Sequence, residues 1–180
     1  MEAAALVLDL VRSRPPTLGR GRLVSIDGPA GAGKTTLAHE VAASAPGAVV
    51  IHMDDLYEGW DGLPNVGHQL AGLLRPLADS LPGSYRRYDW HAEAFAETVT
   101  VEPTDLLVLE GVGSGCRMQD DLIGLLVWVE APHDLRMRRG IERDGEAFAS
   151  RWQAWADAEQ LLFARHRTRQ RADLVVDGSG

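Results

Sequence analysis

The sequence predicts an α/β domain, a doubly wound parallel sheet of about five strands with helices on both faces. Three observations predict it. Short, continuously apolar runs recur along the chain, stretches with helical spacing separate them, and a glycine-rich turn joins the first run to the next helix. Runs such as "DLLVLEG" and "LLVWVEA" suit strands covered by helices on both sides.

From Glu2 to about Arg12 the chain reads as a leading helix. Glu2 stands where a secretory leader carries basic residues, and Asp9 interrupts the apolar run. "RPPTLGRGR" is a loop rich in breakers, "RLVSID" a short buried strand, and helical spacing resumes at Thr35. The strand "AVVIH" ends at Met53, Asp54 and Asp55. Leu70, Leu73, Leu74, Leu77 and Leu81 then recur at helical spacing, with Pro76 expected to kink or restart that helix. "YRRYDW" and "TVTV" read as two small paired strands, followed by the two apolar runs already quoted. His133 to about Arg171 is largely helical, and there Trp152, Trp155, Leu161, Leu162 and Phe163 are expected to pack on the sheet. "DLVVDG" closes the chain as the last strand. No composition shift divides it, so residues 1–180 read as one domain, with residues 1–21 a leading helix and loop.

Composition narrows the function. A net charge of −8 argues against a protein that grips a nucleic-acid backbone, so an anionic ligand must meet locally concentrated cations. No stretch approaches the roughly 18 to 20 apolar residues of a membrane span, and a cytoplasmic protein is expected. The single cysteine, Cys116, leaves no internal disulfide and reads as a small buried thiol. His52 and His91 stand apart from any His/Cys cluster at metal-ligand spacing, and no structural zinc is expected.

The chemistry concentrates in "SIDGPAGAGKTT". Gly28, Gly33, Lys34 and Thr35 fit the phosphate-binding P-loop (Walker A) pattern, with a strand before it and a helix after. Lys34 is the one lysine among 18 Lys and Arg residues. A compact ammonium on a flexible stem can follow a phosphoryl group in motion, which the planar guanidinium fork cannot do inside such a cradle. Gly28, Ala30, Gly31, Ala32, Gly33, Lys34, Thr35 and Thr36 are therefore the candidate ATP contacts, and the Thr35 hydroxyl a candidate Mg²⁺ ligand. A guanine-reading Asn-Lys-x-Asp motif needs a second lysine, which is lacking, and "LLVLEG" ends in Glu110 and Gly111 rather than the acidic pair of hydrolytic ATPases. Small-molecule kinases remain as the leading group.

In order, the P-loop, "HMDDLY", "YDWHAEAF", "TVTVEPTDLLVLEGV" and "DLRMRRGIERD" resemble the uridine kinase branch of the P-loop kinases, which also holds nicotinamide riboside kinase and phosphoribulokinase. The match runs over residues 22 to 144. Its most specific part is Tyr88, Asp89 and Trp90, then Val101, Glu102 and Pro103, then Glu110 and Gly111.

The resemblance implies an ATP- and Mg²⁺-dependent transfer of the γ-phosphoryl group to a hydroxyl of a nucleoside or similar small metabolite. It implies Asp54 as the base, with Asp55 the open alternative, and Tyr57 in the acceptor pocket. It also implies a helical lid over about residues 133–151, where Arg139 and Arg143 close on the phosphates, with Arg136 and Arg138 further candidates. Asp54 and Glu110 are candidate partners of the metal. Asp61, Tyr88 and Asp89 are candidate acceptor contacts, and Arg117 a candidate for an anionic acceptor group.

Two departures stand out: the family's Arg-Gly-Arg after the lid is missing, and the segment after Tyr57 is short. "IDGPAGAGKTT" is itself similar to cytidylate kinase, which leaves a nucleoside monophosphate kinase as an alternative, with Arg75, Arg86, Arg87 and Arg117 as its available cations. A nucleotide-binding module without transfer activity is the other alternative.

Overall fold

The computed structural model describes residues 2–180; the side chains of Arg143, Asp144 and residues 146–150 lie outside the described residues. The chain runs α1 (Glu2–Arg12), β1 (Arg22–Asp27), α2 (Lys34–Ala43), β2 (Val49–His52), α3 (Val66–Ala78), β3 (Gly83–Asp89), β4 (Ala94–Val101), β5 (Leu106–Glu110), β6 (Leu125–Glu130), α4 (His133–Asp144), α5 (Glu146–His166), α6 (Thr168–Arg171) and β7 (Leu174–Asp177). Five strands form one parallel sheet in the order β2-β5-β1-β6-β7, and β3 pairs with β4 as a separate antiparallel hairpin.

The apolar runs are strands because each is buried on both sides. Alternate residues of β1 and β5 feed two different cores: Leu23, Leu107 and Leu109 join α3 and α5 on one face, whereas Val24, Ile26 and Val108 join α1 and α2 on the other. Each fully buried Leu or Ile contributes about 1.5–3 kcal/mol of transfer free energy.

Register decides what meets at the carboxyl end of the sheet. Glu110 stands level with Ile26 on one side and His52 on the other, and Asp27 stands level with Trp128. Three polar side chains, from Asp27, His52 and Glu110, therefore finish adjacent strands at the edge where ligands bind in open α/β sheets.

Two local expectations are corrected. Pro76 does not restart α3, which runs through it and ends two residues later at Ala78, leaving Leu81 beyond the helix and exposed. Leu161 does not pack on the sheet; it is 74% exposed, because the buried stripe of α5 runs through Trp152, Trp155, Ala156, Glu159 and Leu162, and Leu161 falls off that face. Cys116 is buried as expected, and burial pushes its thiol up. Among the described residues no helix is long and apolar enough to cross a membrane.

Leu107 lies fully buried in the middle of the sheet, between Leu23 and Val49. Leu107→Ala is expected to destabilise the protein by about 2–5 kcal/mol. Urea unfolding checks it: the midpoint falls while the slope stays constant.

Candidate active site

The turn from β1 to α2 is shaped by three glycines with positive φ, Gly28 at 142°, Gly31 at 76° and Gly33 at 101°. A Cβ at Gly28 would lie 2.1 Å from the Val129 carbonyl oxygen, and one at Gly31 would lie 2.4 Å from that of Arg136, so the loop presses against β6 and α4. Ala32 is buried beneath it. Gly33 caps α2 without any side-chain hydrogen bond, and the first turn holds no acidic residue. The first amides of α2 and its positive dipole end are thereby left to an outside anion, with Thr36 exposed at that turn.

Lys34 opens α2 and is only 7% exposed; its Nζ donates to the Pro29 carbonyl at 2.9 Å. Burial pushes the ammonium below its ordinary pKa, while Glu110, Glu159, Asp27 and Asp54 push it back up. The lysine and the candidate base Asp54 therefore share one electrostatic neighbourhood. Asp54 is exposed, in the helical turn Met53–Asp55 that follows β2. The backbone of that turn is tied to the hairpin: Trp90 Nε1 donates to the Asp54 carbonyl at 2.9 Å. Its neighbour Asp55 is half-buried, and that burial raises its carboxyl.

Thr35 Oγ1 donates to Glu110 Oε1 at 3.0 Å, and His52 Nδ1 lies 2.5 Å from the same oxygen. Burial raises Glu110, but the His52 hydrogen bond, the Lys34 charge and the Thr35 hydroxyl outweigh it, and the carboxyl finishes below its usual range. His52 is raised in turn, chiefly by Glu110. A hydroxyl beside an ionised carboxylate is a hard-oxygen donor set that fits Mg²⁺, an ion that takes one or two protein ligands and completes its shell with water and phosphate. Among the described residues no group of three His, Cys, Asp or Glu side chains is placed to hold a metal without such help.

Three participants escaped sequence reasoning. Asp27 is fully buried, and its two oxygens accept from Gly28 N at 2.7 Å and from Gly113 N and Gly115 N at 2.9 Å each, tying the P-loop to the loop after β5. His52 looked isolated, and its partner is 58 residues away. Glu159, in α5, accepts from Ala30 N at 2.9 Å and faces Arg136 Nη1 at 3.3 Å. A signal for Glu159 existed, since among the described residues it is the one charged residue on the buried stripe of α5.

The arginines expected in a lid divide. Arg139 Nη1 donates to Gly178 O at 2.7 Å and reaches Gly31 O at 3.5 Å, so it lies against the P-loop. Arg136 Nη1 donates to Ala30 O, and Arg138 is exposed. Arg143 lies in α4, with its side chain outside the described residues.

Of the candidate acceptor contacts, Tyr57 is 1% exposed and its hydroxyl donates to Val112 O at 2.7 Å, so it is packed in the core rather than open to solvent. Its ring meets Trp155 edge-on, and Trp155, Trp60, Trp90 and Tyr88 continue the same chain of edge contacts. Asp61 is exposed in the turn Gly59–Asp61. Asp89 Oδ1 closes the hairpin turn by accepting from His91 N and Ala92 N. Arg117 is exposed at the far end of the loop after β5, where its amide donates to His166 Nδ1.

No protein-family model matches the chain. Uridine kinase of Lactobacillus johnsonii is 30% identical over 141 residues, covering 68% of this chain and 67% of that protein. The chain belongs to the uridine kinase family of ATP-dependent small-molecule kinases. Uridine kinase of Halobacterium salinarum is 35% identical over 138 residues, a match that spans 67% of this kinase and 61% of the relative's length. A solved structure described as a possible uridine kinase from Bacillus stearothermophilus shares the fold, with a TM-score of 0.67 at 23% identity, covering 98% of this kinase and 100% of that chain.

Asp27 makes the stability of this kinase pH-dependent. Burial lifts its carboxyl from the ordinary 3.8 to about 6, against the three amides and the Lys34 charge that lower it. Between these values the folded chain holds a proton that the unfolded chain releases. Unfolding free energy therefore falls as pH rises from about 4 to 6, by an amount on the order of 3 kcal/mol, and levels off above that window. Urea midpoints measured across it are expected to decline more steeply for the wild type than for Asp27→Asn; parallel declines would show that this carboxyl is not the titrating group.

Proposed function

We propose that this kinase transfers the γ-phosphoryl group of ATP to a hydroxyl of a nucleoside. The observation that carries the reading is the placement of a buried P-loop ammonium and a carboxylate at the same carboxyl edge of the sheet: Lys34 opens α2 after β1, and Asp54 lies in the turn after β2, the least of the four carboxylates whose charge bears on the lysine. Phosphoryl transfer asks the protein to position two reactants and neutralise charge spreading over the moving group, and the two residues fill complementary roles. Lys34 and the amides from Gly31 to Thr35 receive the phosphates. Asp54 takes the proton from the acceptor hydroxyl, and the Trp90 indole fixes the backbone that carries it. Thr35 and Glu110 would hold Mg²⁺, which would supply positive charge to offset that of the phosphates. Arg139 adds a cation from the lid side, and Arg143 lies in the same helix.

A neutral acceptor is favoured over a nucleoside monophosphate by the state of the nearby cations. Arg75 is bound in a fork to Asp121, Arg87 in a fork to Glu97, and Arg86 lies over the Phe95 ring. Apart from the exposed Arg117, an acceptor phosphate would have to displace these partners. The edge-packed rings of Trp60, Tyr88 and Trp90 suit a flat base, with Asp61 and Asp89 as candidate contacts for the hydroxyls of its sugar.

Purified protein supplied with ATP·Mg²⁺ and separate panels of nucleosides, nucleoside monophosphates and sugars, with ADP release as readout, tests this. ADP formed with nucleosides is expected. Release only with monophosphates would move the assignment to the second class, and release with no acceptor would remove the transferase reading. Asp54→Asn is expected to lower kcat by about 10²- to 10⁴-fold with ATP affinity unchanged; wild-type turnover in that variant would reject Asp54 as the base.

A further inference from the structure

The buried carboxylate of Glu159 has no place in the phosphoryl-transfer scheme above, yet it is 2% exposed and aimed at the phosphate loop. Its neighbours on the buried stripe of α5 are Trp152, Trp155, Ala156 and Leu162, among which an apolar side chain would pack without the desolvation that a carboxylate suffers. What it meets instead is the backbone of Ala30, its N–H, while Arg136 holds the C=O of the same residue. Glu159 Oε2 accepts from Ala30 N at 2.9 Å, Arg136 Nη1 donates to Ala30 O at 3.2 Å, and the two side chains face each other at 3.3 Å. Arg136 is itself held by the Ala131 carbonyl and lies over the Trp152 ring. The loop has no slack there, since even a Cβ on Gly31 would meet the Arg136 backbone.

One turn before Glu159, Trp155 touches Tyr57, a candidate acceptor contact, and Trp60. A single helix thus bears on the donor loop and on the aromatic cluster around Tyr57.

We propose that Glu159 is a positioning residue for the transfer: with Arg136 it holds the backbone N–H and C=O of Ala30 from the lid helices and so sets the place of the phosphate loop relative to the acceptor. This rests on the reading that the loop holds ATP. The clamp works through hydrogen bonding to Ala30, so a neutral acceptor of the same shape preserves most of it, while truncation frees the loop. A displacement of about 1 Å in a reacting group is enough to cost on the order of 10²-fold in rate.

The test compares wild type, Glu159→Ala and Glu159→Gln in steady-state kinetics with the acceptor found above, alongside thermal melts and ATP binding by calorimetry. Glu159→Ala is expected to lower kcat roughly 10- to 100-fold with the KM for the acceptor within about twofold. Glu159→Gln, whose amide oxygen still accepts from Ala30 N, is expected to recover to within about fivefold of wild type. Three outcomes overturn the proposal: wild-type kcat in Glu159→Ala, a Gln variant as impaired as the Ala variant, or losses that track only the folded fraction read from the melts. Wild-type protein that binds no ATP would overturn the nucleotide site itself as well, whereas ATP binding with unaltered Glu159→Ala kinetics removes this role alone.

Discussion

A lysine ammonium enclosed in protein is the constraint from which the rest of this site follows. Lys34 is almost wholly removed from water, and an unpaired charge in that position would cost several kcal/mol or lose its proton. Its Nζ is held by one carbonyl of the P-loop, and the negative charges of Glu110, Glu159, Asp27 and Asp54 converge on it from four separate elements. The fold compensates the cation without closing over it, because those carboxylates approach from the sheet and helices while the uncapped start of α2 remains open to phosphate.

Each of those carboxylates is in turn committed to a structural partner, which is why the loops around the lysine hold their shape. Asp27 binds the amides that begin the P-loop and those of the loop after β5. Glu110 is shared between Thr35 and His52, and Glu159 between Ala30 and Arg136. Among the four, Asp54 is the exposed one, in the turn that follows β2. Charge balance and loop geometry are therefore one network.

Much of the fold was legible because each strand is buried on both faces and carries that fact in its own residues: "RLVSID", "DLLVLEG" and "LLVWVEA" became β1, β5 and β6 within a residue at each end. The P-loop was equally legible, since its glycines and lysine are adjacent in sequence. Glu159 and His52 were not, for their partners lie 129 and 58 residues away. Asp27 looked like the end of a strand, although two of the amides it binds are 86 and 88 residues distant. Leu161 and Leu81 were misplaced because hydrophobicity alone does not say which side of a helix, or which side of its end, a leucine occupies.

The amino-acid order alone determined the alternation of strands and helices, the phosphate loop, the lone lysine within it and the acidic turn after β2. These depend on neighbours within a few residues, through backbone preference and side-chain periodicity. The tertiary structure alone decided which carboxylates surround that lysine and which of them remain open, because strand order and register bring β1, β2, β5 and α5 together. Charges act through space, and distance along the chain says nothing of distance across it.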